Sequence, residues 1–227
     1  MLKFRGAGQG RKALVAELIA GELARAAGLA VPEIVFIELD AELARTEPDP
    51  EIQDLIRASA GLNLALDYLP GAVAFDPLVH APEAALASAV VWHDAFVSNV
   101  DRTPRNTNLL MWHRRLWLID HGAALIFHHQ WQGHLERSTR PFPSIKDHVL
   151  LAGASQLAEA DAELVSRLTP KLIADIVQLV PDDWLEPDPA FGSPQAQREA
   201  YVRYFALRLQ PPRRFVEEAI RARSLHL

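Results

Sequence analysis

The stretch from Ser98 to Leu125, SNVDRTPRNTNLLMWHRRLWLIDHGAAL, constrains the fold more than any other part of the chain. It predicts a hairpin of two short apolar strands, 109–112 and 116–119, joined by the polar turn HRR. A polar loop lies on each side of the hairpin, and polar groups beside apolar strands require water, a hydrogen-bond partner or a cation. The side chains in these loops that most need such a partner are Asp101, Asn106 and Asp120.

The rest of the pattern predicts a strand-bearing front followed by a helix-rich remainder. In the front, glycines within 6–10 predict a turn, and helical periodicity over 11–29 ends next to a glycine. The predicted strands of the front are a strand end at 2–4, a strand at 34–39 and a strand that runs from 62 into the Pro-Gly turn at 70–71. After this turn, helices are predicted at 83–98, 145–152, 156–168, 170–179, 195–209 and 213–223.

This arrangement predicts an α+β chain with two unequal domains, 1–70 and 71–227, around one cleft. With 227 residues, of which 49% are hydrophobic, the chain is long and apolar enough to bury a core. Its formal net charge of −6 argues against a general nucleic-acid-binding protein, because such proteins usually carry a basic excess. We therefore expect no direct nucleic-acid partner.

The chain contains no cysteine, which excludes disulfides, thiolate zinc sites and cysteine nucleophiles. A composition without cysteine also fits a reducing compartment. No apolar run reaches the length of about 18 residues that a membrane span needs, and the start MLKFRG lacks the apolar core of a signal peptide. We therefore expect a cytoplasmic protein without a membrane partner.

The order of the three loop side chains matches the requirements of phosphoryl transfer. Asp101 follows a predicted buried helix, Asn106 comes five residues later, and the hairpin then leads to Asp120 in the sequence LIDHG. Phosphoryl transfer requires one carboxylate to orient the attacking hydroxyl, and an amide oxygen plus a second carboxylate to hold magnesium. An Asp-x4-Asn element, a hairpin and an Asp-x-Gly element in this order are typical of the catalytic and metal loops of protein kinases.

The front of the chain offers a further pair that such a site needs. A kinase requires a strand lysine on the nucleotide phosphates, paired with a glutamate on the next helix. Lys3 lies on the first predicted strand, and Glu17 interrupts the apolar stripe of the first helix between Val15 and Leu18, so it is expected to face a cation in a cleft. The other interpretation is a solvated terminus and a rim charge, since surface ion pairs of this kind are common.

Four stretches of the sequence together resemble the HipA-like kinase family, atypical bacterial Ser/Thr kinases whose loops are also similar to those of phosphatidylinositol kinases. They extend from residue 2 to about residue 151, with a weaker similarity in the C-terminal helices. The stretches are LKFRGAGQGRKALVAELIAGELARAAGLAVPE, HDAFVSNVDRTPRNTNLLMW, LWLIDHGAALIFHHQW and SIKDHVLL. The resemblance implies a bilobal protein-kinase-like fold with a strand-bearing N-lobe and a mainly helical C-lobe.

The resemblance also implies a role for each candidate residue. Asp101 would be the catalytic base, Asn106 and Asp120 the magnesium ligands, and Lys3 the phosphate-binding lysine with Glu17 as its partner. The hinge segment that faces adenine would consist of Leu66, Asp67, Tyr68 and Leu69. The implied cofactors are ATP and Mg²⁺, and the implied reaction moves the γ-phosphoryl group of ATP to a hydroxyl, on a protein serine or threonine.

The sequence departs from the family pattern before the lysine strand. Kinases of this type cover the phosphates with a glycine-rich strand–turn–strand that precedes the lysine, whereas nothing precedes Leu2 except the initial methionine. The segment GAGQG is no substitute, because it follows the lysine and lacks the GxGxxG spacing. We expect a truncated N-lobe, explained by a start codon assigned too far downstream, by a fragment, or by partial loss of the nucleotide site; the first explanation is preferred.

Two other functions stay open on the sequence alone. A catalytically impaired pseudokinase or interaction module would fit the missing glycine-rich strands. A His/Asp metal-dependent hydrolase would fit the six histidines between positions 93 and 134, although the sequence has no HExxH, no repeated His-x-His and no i, i+4 pair of histidines on a helix. The Asp-x4-Asn spacing has no role in such a hydrolase, so a kinase is the preferred prediction.

Neighbouring side chains and the acceptor carry less specific predictions. Asp94 is expected to brace the loop of Asp101 from inside, while Arg102 either holds this loop or contacts a phosphate. His121 is expected to make a structural hydrogen bond rather than to orient Asp120. The sequence does not identify the acceptor, so a lipid or small-molecule acceptor stays open beside a protein, and it does not identify a partner protein. Autophosphorylation is a hypothesis for three hydroxyls between 123 and 146, those of Ser138, Thr139 and Ser144.

Overall fold

The computed structural model of the protein describes residues 1–8, 10–185 and 189–225, so Gln9 of the predicted glycine turn lies outside the described residues. The elements of the front are β1 (Leu2–Lys3), α1 (Arg11–Ala26), β2 (Ile34–Leu39), a 3₁₀ turn (Ala41–Thr46), α2 (Pro50–Ala58) and β3 (Gly61–Leu66). The three predicted strands and the first predicted helix are therefore present, with ends shifted by a few residues at most.

The second part of the chain is mainly helical, as predicted. Its elements are β4 (Val73–Ala74), α3 (Ala84–Val97), β5 (Leu109–Trp112), β6 (Arg115–Leu118), α4 (His134–Ser138), α5 (Leu157–Arg167), α6 (Pro170–Gln178), α7 (Pro194–Arg208) and α8 (Arg214–Ser224), with 3₁₀ turns at Ile126–His129, Pro143–Asp147, Leu151–Gly153 and Asp182–Trp184. None of the helices in the described ranges is long and apolar enough to cross a membrane. The division into domains 1–70 and 71–227 stays a prediction.

The front sheet has the strand order β1-β3-β2, with both outer strands antiparallel to β3. Lys3 pairs with Leu64, and Ile34 pairs with Leu66. Helix α1 packs closely against this sheet at Gly21, where a Cβ atom would lie 2.6 Å from Cδ1 of Ile34. A Cβ atom at this position would require the end of the Ile34 side chain to move, so Gly21 allows this side chain to pack directly on α1.

The second sheet contains the predicted hairpin. Strands β5 and β6 pair antiparallel, from Leu109 opposite Leu118 to Trp112 opposite Arg115, and β4 pairs with the other side of β5. The turn residues between β5 and β6 have φ values of 48° and 62°, and positive φ at both positions is what a two-residue type I′ hairpin turn requires. The hairpin thereby connects the loop of Asp101 to the loop of Asp120.

Helix α3 is the central helix of the second part. All its residues from 90 to 97 are buried, because α5 and α8 pack against it. The ring of Trp92 stacks on Phe96 at a centroid distance of 5.1 Å, and Phe96 lies 5.8 Å from Phe215 of α8. Ser98 ends the helix in a left-handed conformation with φ 56°, which turns the chain into the loop of Asp101.

The prediction of a helix at 145–152 is wrong. This region forms two 3₁₀ turns, Pro143–Asp147 and Leu151–Gly153, separated by residues 148–150. The N–H of Val149 donates to the carbonyl of Arg102 at 3.0 Å, and the N–H of Leu150 donates to Nδ1 of His148 at 3.0 Å. Because these donors bind outside the local backbone, the i to i−4 hydrogen bonds of an α-helix do not form here. Strand β4 was also not predicted, since its two residues follow the Pro-Gly turn at 70–71 in a segment without a predicted element.

Candidate active site

Lys3 on β1 bridges two carboxylates, those of Glu17 on α1 and of Asp120 after β6. Its Nζ atom lies 2.5 Å from Oδ1 of Asp120 and 3.4 Å from Oε2 of Glu17. Burial disfavours the charge on Lys3, but the charges of Glu17 and Asp120 outweigh this effect and raise the pKa of the ammonium group. The fold thus brings three of the candidate residues, which are up to 117 positions apart in the sequence, into one charged cluster.

Glu17 is the buried member of this cluster, with 1% of its surface exposed. Nδ1 of His121 lies 3.5 Å from Oε1 of Glu17. Burial alone would raise the pKa of Glu17, but the contact with His121 and the charge of Lys3 outweigh burial and lower the pKa from its usual 4.5 to about 2. The carboxylate therefore stays ionised, and the ring of His121 lies at contact distance from Glu17, while the structural hydrogen bond expected of His121 stays a prediction.

Asp120 leaves β6 in a left-handed backbone conformation with φ 55°. Few residues other than glycine, asparagine and aspartate adopt this conformation, and it is concentrated at functional sites. Lys3 contacts its Oδ1 atom, and the side chain is 46% exposed, so part of Asp120 remains accessible from solvent. The N–H of Ile119 donates to the carbonyl of Asn108 at 3.1 Å, which ties the residue before Asp120 to the loop of Asp101.

Asp101 lies in a network of asparagine side chains. Nδ2 of Asn106 donates to Oδ2 of Asp101 at 2.8 Å. Nδ2 of Asn108 donates to the same oxygen at 3.2 Å and to the carbonyl of Asp101 at 2.8 Å. Oδ1 of Asn99 accepts the N–H of Asp101 at 3.1 Å. Within the described ranges no hydrogen bond reaches Oδ1 of Asp101 or Oδ1 of Asn106, so these oxygens are free to bind something else.

A buried ion pair braces this loop from inside. Nε of Arg102 donates to Oδ2 of Asp94 at 2.5 Å, and both side chains are fully buried. Nδ2 of Asn99 donates to Oδ1 of Asp94 at 3.0 Å, and Nε2 of His148 lies 2.9 Å from Oδ2. Burial opposes the charge on Asp94, but the charge of Arg102 and the bond from His148 outweigh it and hold the pKa of Asp94 far below its usual range. Asp94 therefore braces the loop, as expected, and Arg102 holds the loop rather than facing a phosphate.

Two further contacts extend this brace to the metal loop. Nη1 of Arg102 donates to the carbonyl of Asn108 and, at 3.4 Å, to the carbonyl of Ile119. His148 presents a fixed tautomer, because its Nδ1 accepts the N–H of Leu150 and the ring proton therefore lies on Nε2, toward Asp94. Sequence reasoning missed the role of His148, since no local spacing connects residues that are 54 positions apart.

The predicted hinge lines a cavity of about 200 Å³. The backbone N–H groups of Leu66, Asp67 and Tyr68 donate within the protein. The N–H of Leu69 has no partner in the part of the chain that the structure describes, so it is available to a ligand. Ile119 lines the same cavity and directly precedes Asp120, so the cavity adjoins the charged cluster. The remaining lining residues are Met1, Pro32, Ala72 and Leu110.

The six histidines between positions 93 and 134, all among the described residues, do not form a metal centre of the hydrolase type. Among the described residues, no group of three or more His, Asp or Glu side chains is arranged to hold a metal. Nδ1 of His128 lies 3.0 Å from the hydroxyl of Tyr201, and His93 is fully buried in α3, where burial lowers its pKa to about 3. A kinase needs no such cluster, because magnesium there is held by one Asp, one Asn, phosphate oxygens and water.

The chain is similar to a solved kinase structure over its whole length. The crystal structure of the Helicobacter pylori proinflammatory kinase CtkA matches 100% of this chain and 91% of that chain with a TM-score of 0.60 and 15% sequence identity. At this identity the likeness shows the fold, and it confirms the predicted α+β, bilobal kinase-like fold.

No curated protein matches the sequence. The model of the HipA-like kinase family matches residues 3–208, a range that contains Lys3, Asp101 and Asp120. The chain belongs to the HipA-like kinase family.

Proposed function

We propose that the protein transfers the γ-phosphoryl group of ATP to a hydroxyl on a protein serine or threonine. The observation that carries this proposal is the contact of Lys3 with both Glu17 and Asp120. In a kinase the strand lysine pairs with a helix glutamate and lies close to the carboxylate that holds magnesium. Membership of the HipA-like kinase family supports the same reaction.

Asp101 is the proposed base. Asn106 and Asn108 both donate to its Oδ2, which fixes the carboxylate and leaves Oδ1 for the acceptor hydroxyl. The hydroxyl oxygen forms the new bond to the γ-phosphorus, the bond from this phosphorus to the bridging oxygen breaks, and the hydroxyl proton moves to Oδ1 of Asp101.

Asn106 and Asp120 are the proposed magnesium ligands, and their chemistry fits the ion. The Nδ2 group of Asn106 is bound to Asp101, so its Oδ1 is the end that remains for a cation. The carboxylate of Asp120 is nearly half exposed. Both residues supply the hard oxygen atoms that magnesium prefers. A bound magnesium ion would neutralise charge on the β- and γ-phosphates.

Lys3 and the hinge are proposed to hold the nucleotide. Lys3 exchanges its contact with Asp120 for the phosphates, while Glu17 stays ionised and keeps the ammonium group in position. The adenine ring occupies the cavity beside the hinge segment 66–69, where the free N–H of Leu69 donates to a ring nitrogen. An apolar cavity with one convergent donor is the usual form of such a ligand site.

Calorimetric titration of ATP with and without magnesium tests this function. We expect magnesium-dependent binding that Asp120→Ala removes, while Asp101→Asn keeps binding and lowers phosphoryl transfer by about 100-fold or more. Asp183→Ala, which changes an exposed carboxylate outside the site, serves as the matched control. Equal loss of binding in Asp101→Asn and Asp120→Ala would contradict their separate roles. A folded chain that binds no Mg-ATP would support a non-catalytic interaction module instead.

A further inference from the structure

A second cavity, of about 230 Å³, lies between the end of α3, the segment that follows the metal loop, and α7. Most of its lining is apolar, including Ile126 and Phe142. Three arginines complete the lining, and we call the space the arginine cavity; they are Arg137, Arg140 and Arg208. None of these arginines has a part in the proposed phosphoryl transfer.

The arginine cavity carries positive charge without a counter-charge. No Asp or Glu lines it, and none forms an ion pair with its three arginines within the described ranges. Elsewhere eight arginines pair with a carboxylate. The chain as a whole has a net charge of −6. Three guanidinium groups without an ion pair around one cavity therefore make this place positive on a negatively charged protein. The apolar part of the lining strengthens any ion pair formed there, because it lowers the local dielectric.

Arg208 is the fixed member of the three. It is 3% exposed, and its guanidinium donates to the carbonyls of Ala95, Phe96 and Ser138 at 2.7, 2.8 and 2.9 Å. Two of these carbonyls belong to the last turn of α3, the negative end of the helix dipole. They hold the guanidinium in place but supply only partial charge, so Arg208 keeps an attraction for an anion.

Arg137 and Arg140 are the members that can reach a ligand. Nη2 of Arg137 donates to the carbonyl of Gln130, whereas its buried Nε has no partner. The side chain of Arg140 is exposed and makes no ion pair or hydrogen bond among the described residues. Free N–H groups from two arginines can together bind one carboxylate or phosphate group.

The arginine cavity lies close to the proposed base. Its lining includes Ser98, which is three residues before Asp101, and three residues span at most about 11 Å. The N–H of Leu125 donates to the carbonyl of Val97 at 2.8 Å, which holds the start of the segment 126–144 against the same end of α3. An acceptor chain with its hydroxyl at Asp101 would therefore pass the cavity within about three residues of that hydroxyl.

We propose that the arginine cavity binds an anionic side chain of the acceptor polypeptide, a carboxylate or a phosphate, within about three residues of the hydroxyl that is phosphorylated. This inference rests on the proposed kinase function and names the class of substrate. It makes acidic sequences around the target serine or threonine the preferred acceptors, and basic sequences the poorest.

A peptide series tests this assignment. The probes are fluorescein-labelled serine peptides that carry Glu, phosphoserine, Gln or Lys at each position from −3 to +3. We expect the Glu or phosphoserine peptide at one position at least to bind about tenfold or more tightly than its Gln counterpart by fluorescence anisotropy, with the same order in kcat/KM. Arg140→Glu should remove this preference or reverse it in favour of Lys while Mg-ATP affinity is retained. Arg114→Glu, at the exposed hairpin turn, makes the same charge change elsewhere and should keep the preference.

The binding measurement does not depend on turnover. Equal affinity for Glu and Gln peptides at every position would overturn the assignment whether or not phosphate is transferred, whereas failure of the Mg-ATP titration would count against the kinase function itself. A preference for Glu over Gln peptides that persists in Arg140→Glu would also overturn the assignment.

A phosphate on the chain's own Ser144, which lines the cavity, is the competing occupant. The peptide measurements are therefore repeated with Ser144→Ala, in which that phosphate cannot form. Discrimination that appears only in Ser144→Ala would identify the protein's own phosphoserine as the natural anion and overturn the assignment to the acceptor. Discrimination in both proteins supports the acceptor.

Discussion

The loop around Asp101 and the strand that carries Lys3 are held in opposite ways. Beneath the loop, the ion pair of Asp94 and Arg102 is fully buried and further bound by His148. The strand is two residues long, lies at an edge of its sheet, and presents a lysine whose side chain is 22% exposed. One part of the site is fixed through the core of the protein, and the other is fixed by a few contacts near the surface.

This difference fits two different tasks, because Asp101 has to be held in one position whereas Lys3 has to exchange one partner for another. The carboxylate of Asp101 needs a fixed orientation, and the buried network beneath its loop provides this orientation before any ligand binds. The lysine has to leave Asp120 when phosphates arrive, so a strongly held lysine would oppose nucleotide binding. Removing one partner of a buried pair costs about 3–5 kcal/mol, whereas an exposed pair contributes about 0–1 kcal/mol. Stability measurements can therefore test the contrast directly.

The largest effect is expected for Asp94→Ala. The substitution leaves the buried guanidinium of Arg102 without its carboxylate, and we expect the free energy of unfolding to fall by about 3–5 kcal/mol in urea denaturation. Asp54→Ala, which breaks the exposed pair with Arg57, is the control and should change it by less than about 1 kcal/mol. Similar losses in the two variants would show that the loop is not braced by this pair.

The spacing of residues in the sequence was sufficient to predict the local parts of the site. The turn between β5 and β6 and the Asp-x4-Asn element predicted one loop on each side of a hairpin, and the structure has both. A glutamate inside an apolar stripe predicted that Glu17 faces a cation, and Lys3 lies there. The catalytic, metal-binding and nucleotide-binding roles of these residues stay predictions.

The parts that the sequence could not indicate depend on contacts between distant segments. The helix expected at 145–152 was wrong because Arg102 and the ring of His148 take up backbone N–H groups that a helix would need. The arginine cavity joins residues between 98 and 208, and no local pattern shows that its arginines lack acidic partners. Periodicity reports which face of an element is buried, but not which remote side chain meets it.

The second prediction concerns the pH dependence that Glu17 gives to the front of the site. Its pKa of about 2 in the folded protein lies below the usual 4.5, so its contribution to stability is present above pH 4.5 and is lost as the pH falls toward 2. The shift corresponds to a contribution on the order of 3 kcal/mol. In urea titrations, the stability difference between the wild type and Glu17→Gln should shrink by this order between pH 5 and pH 2.

Glu42→Gln is the matched control for this measurement, because Glu42 pairs with Arg45 at the surface. Its stability difference from the wild type should stay nearly constant over the same range, since exposed pairs contribute little. A constant difference for Glu17→Gln as well would mean that the buried carboxylate is not held in its ionised form by His121 and Lys3.

The last prediction concerns Lys3, whose replacement should affect the free energy of unfolding less than Asp94→Ala does but should strongly weaken nucleotide binding. In Lys3→Met the free energy of unfolding should fall by less than the about 3–5 kcal/mol expected for Asp94→Ala, because only one of its two partners, Glu17, is buried, while Asp120 is nearly half exposed and returns to water. Glu17 keeps its contact with His121, which lowers its pKa more than the charge of Lys3 does. Magnesium-dependent ATP binding should nevertheless weaken about tenfold or more, whereas Lys171→Met, an exposed lysine paired with Asp175, should leave both quantities unchanged. A loss of stability in Lys3→Met as large as that in Asp94→Ala would remove the contrast, because the lysine would then be a fixed part of the core and could not exchange Asp120 for a phosphate.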